Sequence, residues 1–196
     1  MFLQRSEKMQ FLPIMLNLKT KKTLVVGGGR VALRKINYLL NFQCNIEVIA
    51  QEFCEDVIDL LLKYDIKHTK SIYRAGDLSR FDIVIVATND VELQKHIYME
   101  TKKCNCLCNC VDSKEFSDFI VPAYIKDGDL VVSISTNGTS PSFAKEFKNY
   151  IKTTIPKDVA IFLKEMEMFR KVLPKGEMRM KMCKEKVKNY IKSWSK

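Results

Sequence analysis

Apolar residues along the first half of the chain alternate between short continuous blocks and stretches of helical spacing. Lys22-Thr23-Leu24-Val25-Val26 is an apolar run that stops at three glycines. Val31, Leu33, Ile36, Leu39 and Leu40 then recur at the spacing of one helix face. Residues 46–50 read as a second strand, Phe53, Val57, Leu60, Leu61 and Tyr64 as an amphipathic helix, and residues 66–72 as a third strand. Residues 81–88 form an almost unbroken apolar run, as expected of a strand covered on both faces of a parallel sheet. A helix over about 91–103 leads to a fifth strand, 106–111. This order predicts an α/β fold with a Rossmann-type parallel sheet over residues 1–112.

The pattern changes beyond that point. Residues 119–125 and 130–135 are strand-like and are joined by Lys126-Asp127-Gly128-Asp129, a turn with glycine where positive φ is needed. A hairpin without a crossover helix marks a small α+β module over 113–150. Its helix is announced by Thr139-Ser140-Pro141, an N-cap followed by proline at the first helical position, and runs to about 151. Pro156 opens a further helix, and Pro174-Lys175-Gly176 separates it from a last one over 177–194, so that 151–196 form a helical C-terminal module.

Composition narrows the class. With 196 residues, 46% hydrophobic and 29% charged, the chain suits one or two globular domains with a proper core. It has no apolar run of membrane-spanning length and no signal-peptide pattern, and its seven cysteines fit a reducing compartment, so a cytoplasmic protein is expected. The net charge of +10 is concentrated at one end: residues 1–140 hold 18 basic and 17 acidic side chains, residues 141–196 hold 15 and 6. Such a bias suits a polyanionic partner, whether nucleic acid, an acidic membrane surface or a polycarboxylate, and equally suits a solvated helical face.

Gly27-x-Gly29-x-x-Ala32 has the spacing of the dinucleotide fingerprint, between a predicted strand and a predicted helix. The first glycine makes the tight turn, the second admits the pyrophosphate, and Ala32 keeps helix close to strand. Gly27, Gly28, Gly29, Arg30 and Val31 are therefore the expected phosphate-binding residues. No Lys-Ser or Lys-Thr pair follows the glycines, which disfavours a Walker-type loop. Gln51 or Glu52 is expected at the ribose, and Ala87, Thr88 and Asn89 along the cofactor crevice at the end of the fourth strand. With Arg30 beside the phosphates, the residues themselves leave NAD and NADP both open.

The run Cys104, Cys106, Cys108, Cys110 has the look of a metal site. On an extended strand, alternate residues stand about 6.6 Å apart. Thiolates on one zinc lie within roughly 4 Å of each other. The four are expected as small core residues, and His68 and His96 lack partners at ligand spacing, so no dedicated metal site is expected. Met166, Met168, Met178, Met180 and Met182 are expected to pack within the helical module or across a dimer.

Three later stretches stand in register with the glycine turn: Asn109-Cys110-Val111-Asp112, Ser117 to Ala123, and Ser133 to Pro141. With Val25 to Lys35, this set resembles the precorrin-2 dehydrogenase/sirohydrochlorin ferrochelatase family, the NAD-binding module of siroheme synthesis, over about residues 10–155. The resemblance implies oxidation of precorrin-2 to sirohydrochlorin with NAD as hydride acceptor, followed in some members by Fe2+ insertion, and a homodimer built through the 113–150 module. It places the family's key aspartate on Asp112. A carboxylate there would accept the proton released as hydride leaves, and any chelated iron would bind transiently between macrocycle and Asp112. Asp118 is a candidate second acid, while Thr136, Asn137, Gly138 and Ser140 are candidates for holding substrate carboxylates. For a substrate with eight carboxylates, Arg34, Lys35, Lys145 and Lys148 are further candidates, with the lysines of the C-terminal helix facing either the cleft or solvent. Two other functions stay open: an NAD-sensing regulator that binds nucleic acid, for which no helix-turn-helix is evident, and a Rossmann dehydrogenase for another acidic substrate.

Overall fold

The computed structural model describes residues 11–42, 44–111 and 113–194. The chain divides into two compact units, Met1–Ile120 and Val121–Lys196. The first contains β1 (Lys22–Val26), α1 (Arg30–Leu40), β2 (Asn45–Ala50), α2 (Glu55–Lys63), β3 (Lys67–Lys70), β4 (Ile83–Val86), α3 (Val91–Cys104) and β5 (Leu107–Cys110). The five strands are all parallel, in the order β3-β2-β1-β4-β5. The chain thus runs outward from β1 to β3, then returns to the other side of β1, which puts the switch in strand order between β1 and β4.

Two apolar layers hold this sheet. On one face Val25, Val48, Ile83 and Ile85 pack against Ala32, Ile36 and Leu39 of α1 and Val57 and Leu61 of α2. On the other, Leu24, Val26, Val84 and Val86 meet Ile97 of α3, Leu78 and Phe81. Every residue of β4 is buried, which is why its sequence reads as apolar throughout. Three cysteines of the alternating run, Cys106, Cys108 and Cys110, lie in this second layer, as expected of core residues. The side chains of Cys108 and Cys110 lean together to an Sγ–Sγ distance of 3.7 Å, closer than the spacing of their backbones suggests. Burial pushes the Cys106 thiol up to about 12. Among the described residues, no group of three or more His, Cys, Asp or Glu could hold a metal ion.

Some boundaries differ from the sequence expectation. Between β3 and β4 the crossover has a single 3-10 turn, Asp77–Arg80, tied down by Glu100, which accepts from the Tyr73 hydroxyl at 2.8 Å and the Gly76 N–H at 2.7 Å. The strand expected over 119–125 begins only at Ala123. Phe119 packs against the α1 side of the sheet instead, its carbonyl receiving a hydrogen bond from Asn109 Nδ2 at 2.9 Å.

The outer edge of β5 is braced by the segment that follows it. Ser117 Oγ accepts the Cys110 N–H at 3.0 Å, Asp118 Oδ2 accepts the Cys108 N–H at 2.9 Å, and the Asp118 N–H donates to the Cys108 carbonyl at 2.8 Å. Two side chains therefore do the hydrogen bonding that a sixth strand would do.

The second unit contains the antiparallel hairpin β6 (Ala123–Asp127) and β7 (Leu130–Ile134), with Gly128 at φ +55°, followed by α4 (Pro141–Thr154), α5 (Val159–Val172) and α6 (Glu177–Ser193). Ser140 caps α4, its hydroxyl accepting the Phe143 N–H at 3.2 Å, with Pro141 at the helix start. Among the described residues, the buried apolar side chains of this unit are Ile125, Ala144, Val159 and Met166. α6 has no buried residue and is held to α5 by the Phe162–Tyr190 stack, with centroids 3.8 Å apart, and by a 2.9 Å bond from the Tyr190 hydroxyl to Asp158. Of the five methionines expected to pack within the module or across a dimer, Met166 is buried, and Met168, Met178, Met180 and Met182 are exposed within this chain. Among the described residues no helix is long and apolar enough to cross a membrane.

Candidate functional site

β1 delivers the chain into its glycine turn at the strand-order switch. The Gly27 N–H bonds to the Ile49 carbonyl at 2.9 Å, and Gly27 has φ +127°. A Cβ there would stand 2.3 Å from the Ala87 carbonyl oxygen, so the turn touches the end of β4 directly. A Cβ on Gly28 would stand 2.1 Å from the Glu52 carbonyl oxygen and 2.9 Å from the Phe53 ring, and the Cys54 N–H closes onto the Gly28 carbonyl at 2.9 Å. Gly29, by contrast, has open space on its Cβ side. The first two glycines let the turn nest between the ends of β2 and β4; the third keeps its outer side clear for a ligand.

Beyond Gly29, α1 starts with no side-chain cap and no acidic residue in its first turn. α2 carries Glu55 and Asp56 in that position, α3 is capped by Asp90 and α4 by Ser140. The uncapped start of α1 leaves N–H groups and positive potential facing the clear side of the turn, with Arg30 exposed and Val31 half-buried. Ala32 is fully buried, which lets α1 lie close on the sheet. The cradle fits a dinucleotide pyrophosphate by shape and by charge.

The structure brings the glycine turn together with Gln51, Glu52 and Ala87. Gln51 and Glu52 are exposed past the end of β2, and Glu52 pairs with Lys70 at 3.2 Å. Thr88 is half-buried, its carbonyl held by Gln94 Nε2 at 2.6 Å and its hydroxyl accepting the Asp90 N–H at 3.2 Å; Asn89 is exposed. Asp112 lies outside the described residues. Val111, just before it, donates its N–H to the Val86 carbonyl at 3.0 Å, so the exit of β5 runs beside the end of β4.

Other expected residues have local duties. Asp118 holds Lys102 through one oxygen and the Cys108 N–H through the other, which ties it to the β5 brace. The Lys102 ammonium also sits 4.0 Å from the centroid of the Tyr98 ring. Although burial works the other way, Asp118 holds the Lys102 ammonium above its ordinary value. Lys35 reaches Asn109 Oδ1 at 3.3 Å, whereas Arg34 is exposed. In the second unit, the Thr136 hydroxyl accepts the Ser140 N–H at 3.0 Å and donates to the Ser140 carbonyl at 3.1 Å, around a turn with Asn137 at φ +52° and Gly138 at φ +74°. Lys145 is exposed and Lys148 half-buried on α4. Sequence reasoning did not single out Asn109 and Ser117 individually. Both open stretches that carry the family resemblance, and a buried polar residue inside an apolar strand was a further signal for Asn109, but no pattern assigned Ser117 its place at the edge of β5.

Residues 14–123 match the NAD_binding_7 family model, described as "Putative NAD(P)-binding". The chain belongs to that family. It is 37% identical over 151 residues to a siroheme synthase of Buchnera aphidicola, covering 76% of this chain and 31% of that protein. It is 34% identical over 149 residues to the siroheme synthase of Nitrosomonas europaea, covering 76% and 31%. The chain thus spans about a third of the length of these curated relatives. Among solved structures it is similar to SirC, a precorrin-2 dehydrogenase, at 26% identity and a TM-score of 0.73, covering 89% of this chain and 88% of that one. At 89% of this chain, the likeness to SirC reaches into both units, beyond residue 123 where the family model ends.

Proposed function

We propose that this chain oxidises precorrin-2 to sirohydrochlorin with NAD+ as hydride acceptor. The observation that carries the reading is the likeness to a precorrin-2 dehydrogenase over nearly the full length of both chains, joined to a glycine turn whose shape fits a dinucleotide. Bound NAD+ supplies the hydride acceptor. The chain's own residues do the rest. Gly27, Gly28 and Gly29 with the start of α1, at Arg30 and Val31, hold the pyrophosphate; Gln51 and Glu52 face the ribose; Ala87, Thr88 and Asn89 line the crevice toward the nicotinamide. Asp112 is the general base that accepts the proton released as hydride leaves the substrate. Thr136, Asn137, Gly138 and Ser140 offer hydroxyl and backbone donors to substrate carboxylates, and Asp118 serves the site through the β5 brace.

The same reading extends to a cytoplasmic homodimer, and to Fe2+ as a second substrate, inserted into sirohydrochlorin with Asp112 taking a pyrrole proton. Anaerobic incubation with precorrin-2 and NAD+ tests the first step. NADH and the sirohydrochlorin spectrum should appear together, and absence of both sinks the reading. Asp112→Asn should lower turnover by about 10²–10⁴-fold with NAD+ affinity unchanged; full turnover in that variant removes Asp112 from its role. Supplying Fe2+ with sirohydrochlorin, with and without NAD+, separates a dehydrogenase from a protein that also inserts metal.

A further inference from the structure

α6 has two unlike sides. Toward α5 it turns Arg179, Lys186 and Tyr190: Arg179 donates to the Arg170 carbonyl at 3.0 Å, the Lys186 ammonium lies 4.7 Å from the Phe169 ring centroid, and Tyr190 stacks on Phe162. Lys181, Lys184, Lys188 and Lys192 recur at i, i+3, i+7 and i+11, so they form one row on the opposite side, and all four are exposed. The row runs for about 16 Å along the helix. Among the described residues none of the four forms an ion pair, while on α5 Lys171 pairs with Glu167. Lysines three and four apart repel and work against the helix, and α6 has no buried residue of its own to compensate. An anion lying along the row relieves that repulsion.

The flanks of the row narrow the kind of anion. Met180, Val187 and Ile191 are exposed on one side of it, Met178 and Met182 on the other. A helix that lies in a membrane surface has its apolar stripe in the middle and cations at the margins, which is the reverse order. Surfaces for nucleic acid interleave cations with aromatic and amide side chains that reach bases and sugars, whereas these flanks are mostly apolar. A compact ligand with carboxylate arms around an apolar ring suits both features.

We propose that this side of α6 is a collecting surface for the polycarboxylated tetrapyrrole, whose arms the lysine row draws in from solution. The inference rests on the proposed function for the identity of the ligand and goes beyond it by assigning the row. At physiological salt the field of exposed charges reaches about 8 Å. The row therefore acts on encounter and loose holding, not on the chemical step.

Trp194, the single tryptophan of the chain, ends α6 and reports binding there by quenching of its fluorescence. The probe is uroporphyrin, a porphyrin with eight carboxylates. The proteins are the full-length wild type, Lys184→Gln/Lys188→Gln, and a charge-matched control, Lys63→Gln/Lys103→Gln, at exposed positions of α2 and α3. At low salt the row variant should bind uroporphyrin about fivefold or more weakly than wild type, and the control within about twofold. In anaerobic precorrin-2 oxidation the row variant should lose a similar factor in kcat/KM and keep kcat within about twofold. Both differences should fade at about 1 M salt.

A row variant that binds like wild type overturns the collecting surface, and so does a control that loses as much or a loss that salt leaves unchanged. Salt-dependent affinity for a short DNA duplex, lost in the row variant while uroporphyrin binding stays, overturns it in favour of nucleic acid. Uroporphyrin binding that depends on the row, in a protein that makes no NADH from precorrin-2, supports the surface and sinks the proposed oxidation.

Discussion

Residues 1–120 hold 17 basic and 15 acidic side chains around a sheet with a buried apolar layer on each face, whereas residues 121–196 hold 16 and 8 around one hairpin and three helices. In the first unit the inner strand β4 has no exposed residue; in the second, α6 has no buried one. Phe143, Phe147 and Tyr150 form a stacked row along α4 that remains exposed within this chain, at 58%, 40% and 62%. The contrast separates two tasks. A turn that must keep its shape against a ligand is built on the deep core, while the excess positive charge sits on the unit with the shallower one.

The largest expected effect tests that difference in depth. Ile85→Ala, at the centre of the sheet, should cost about 2–5 kcal/mol in denaturant unfolding. Met166→Ala in the second unit should fall at or below the lower end of that range, because its surroundings can collapse more freely. Equal losses would break the comparison. Next, Gly28→Ala should weaken NAD+ binding by about 100-fold, or roughly 2.7 kcal/mol, because its Cβ would strike the Glu52 backbone. Titration of a variant that still unfolds like wild type reads this cleanly. Ser117→Ala should cost about 1–3 kcal/mol by leaving the buried Cys110 N–H without its acceptor. A neutral result would show that another group replaces the hydroxyl.

The smallest effect concerns acid. Burial pushes the Glu47 carboxyl up, but the two 2.6 Å bonds from Arg80, with Lys67 nearby, outweigh it and hold the group below its ordinary value. A depressed folded value means that this contribution is present above the unfolded value of about 4.3 and is lost as pH falls through the folded one. Arg80 is half exposed, so solvent screening keeps the contribution to less than about 1 kcal/mol. Thermal unfolding of wild type and Glu47→Gln should differ at pH 7 and converge well below pH ~4. A difference that persists in acid would assign the effect to packing instead.

The parts of the fold governed by local pattern were legible in the sequence. β1 and β4 read as apolar runs because both sheet faces cover them, and the glycine turn was legible because its spacing is a backbone requirement. Ser140 and Pro141 announced α4 for the same reason. The extent of the strand after residue 119 was not legible, since Phe119 is as apolar in the core as it would be in a strand, and only the Asn109 contact decides between them. The methionines show the matching limit: helical spacing reveals an apolar stripe but not whether an element lies opposite it. At the candidate site, residues close in sequence were found as a group. The Glu52–Lys70 pair was not, because its members meet only through the pairing of β2 with β3.

The brace on β5 bears on how this chain behaves in a crowded solution. An unpaired edge strand is a template on which another molecule can add a strand and begin a fibril. At β5, Ser117 and Asp118 already occupy the Cys108 and Cys110 N–H groups, so an incoming backbone would have to displace them. At the opposite margin, β3 is only four residues long, fully exposed, and carries Lys67 and Lys70, whose charge opposes the approach of a like strand. Both margins of the parallel sheet are therefore guarded against aggregation, one by side-chain hydrogen bonds and the other by charge.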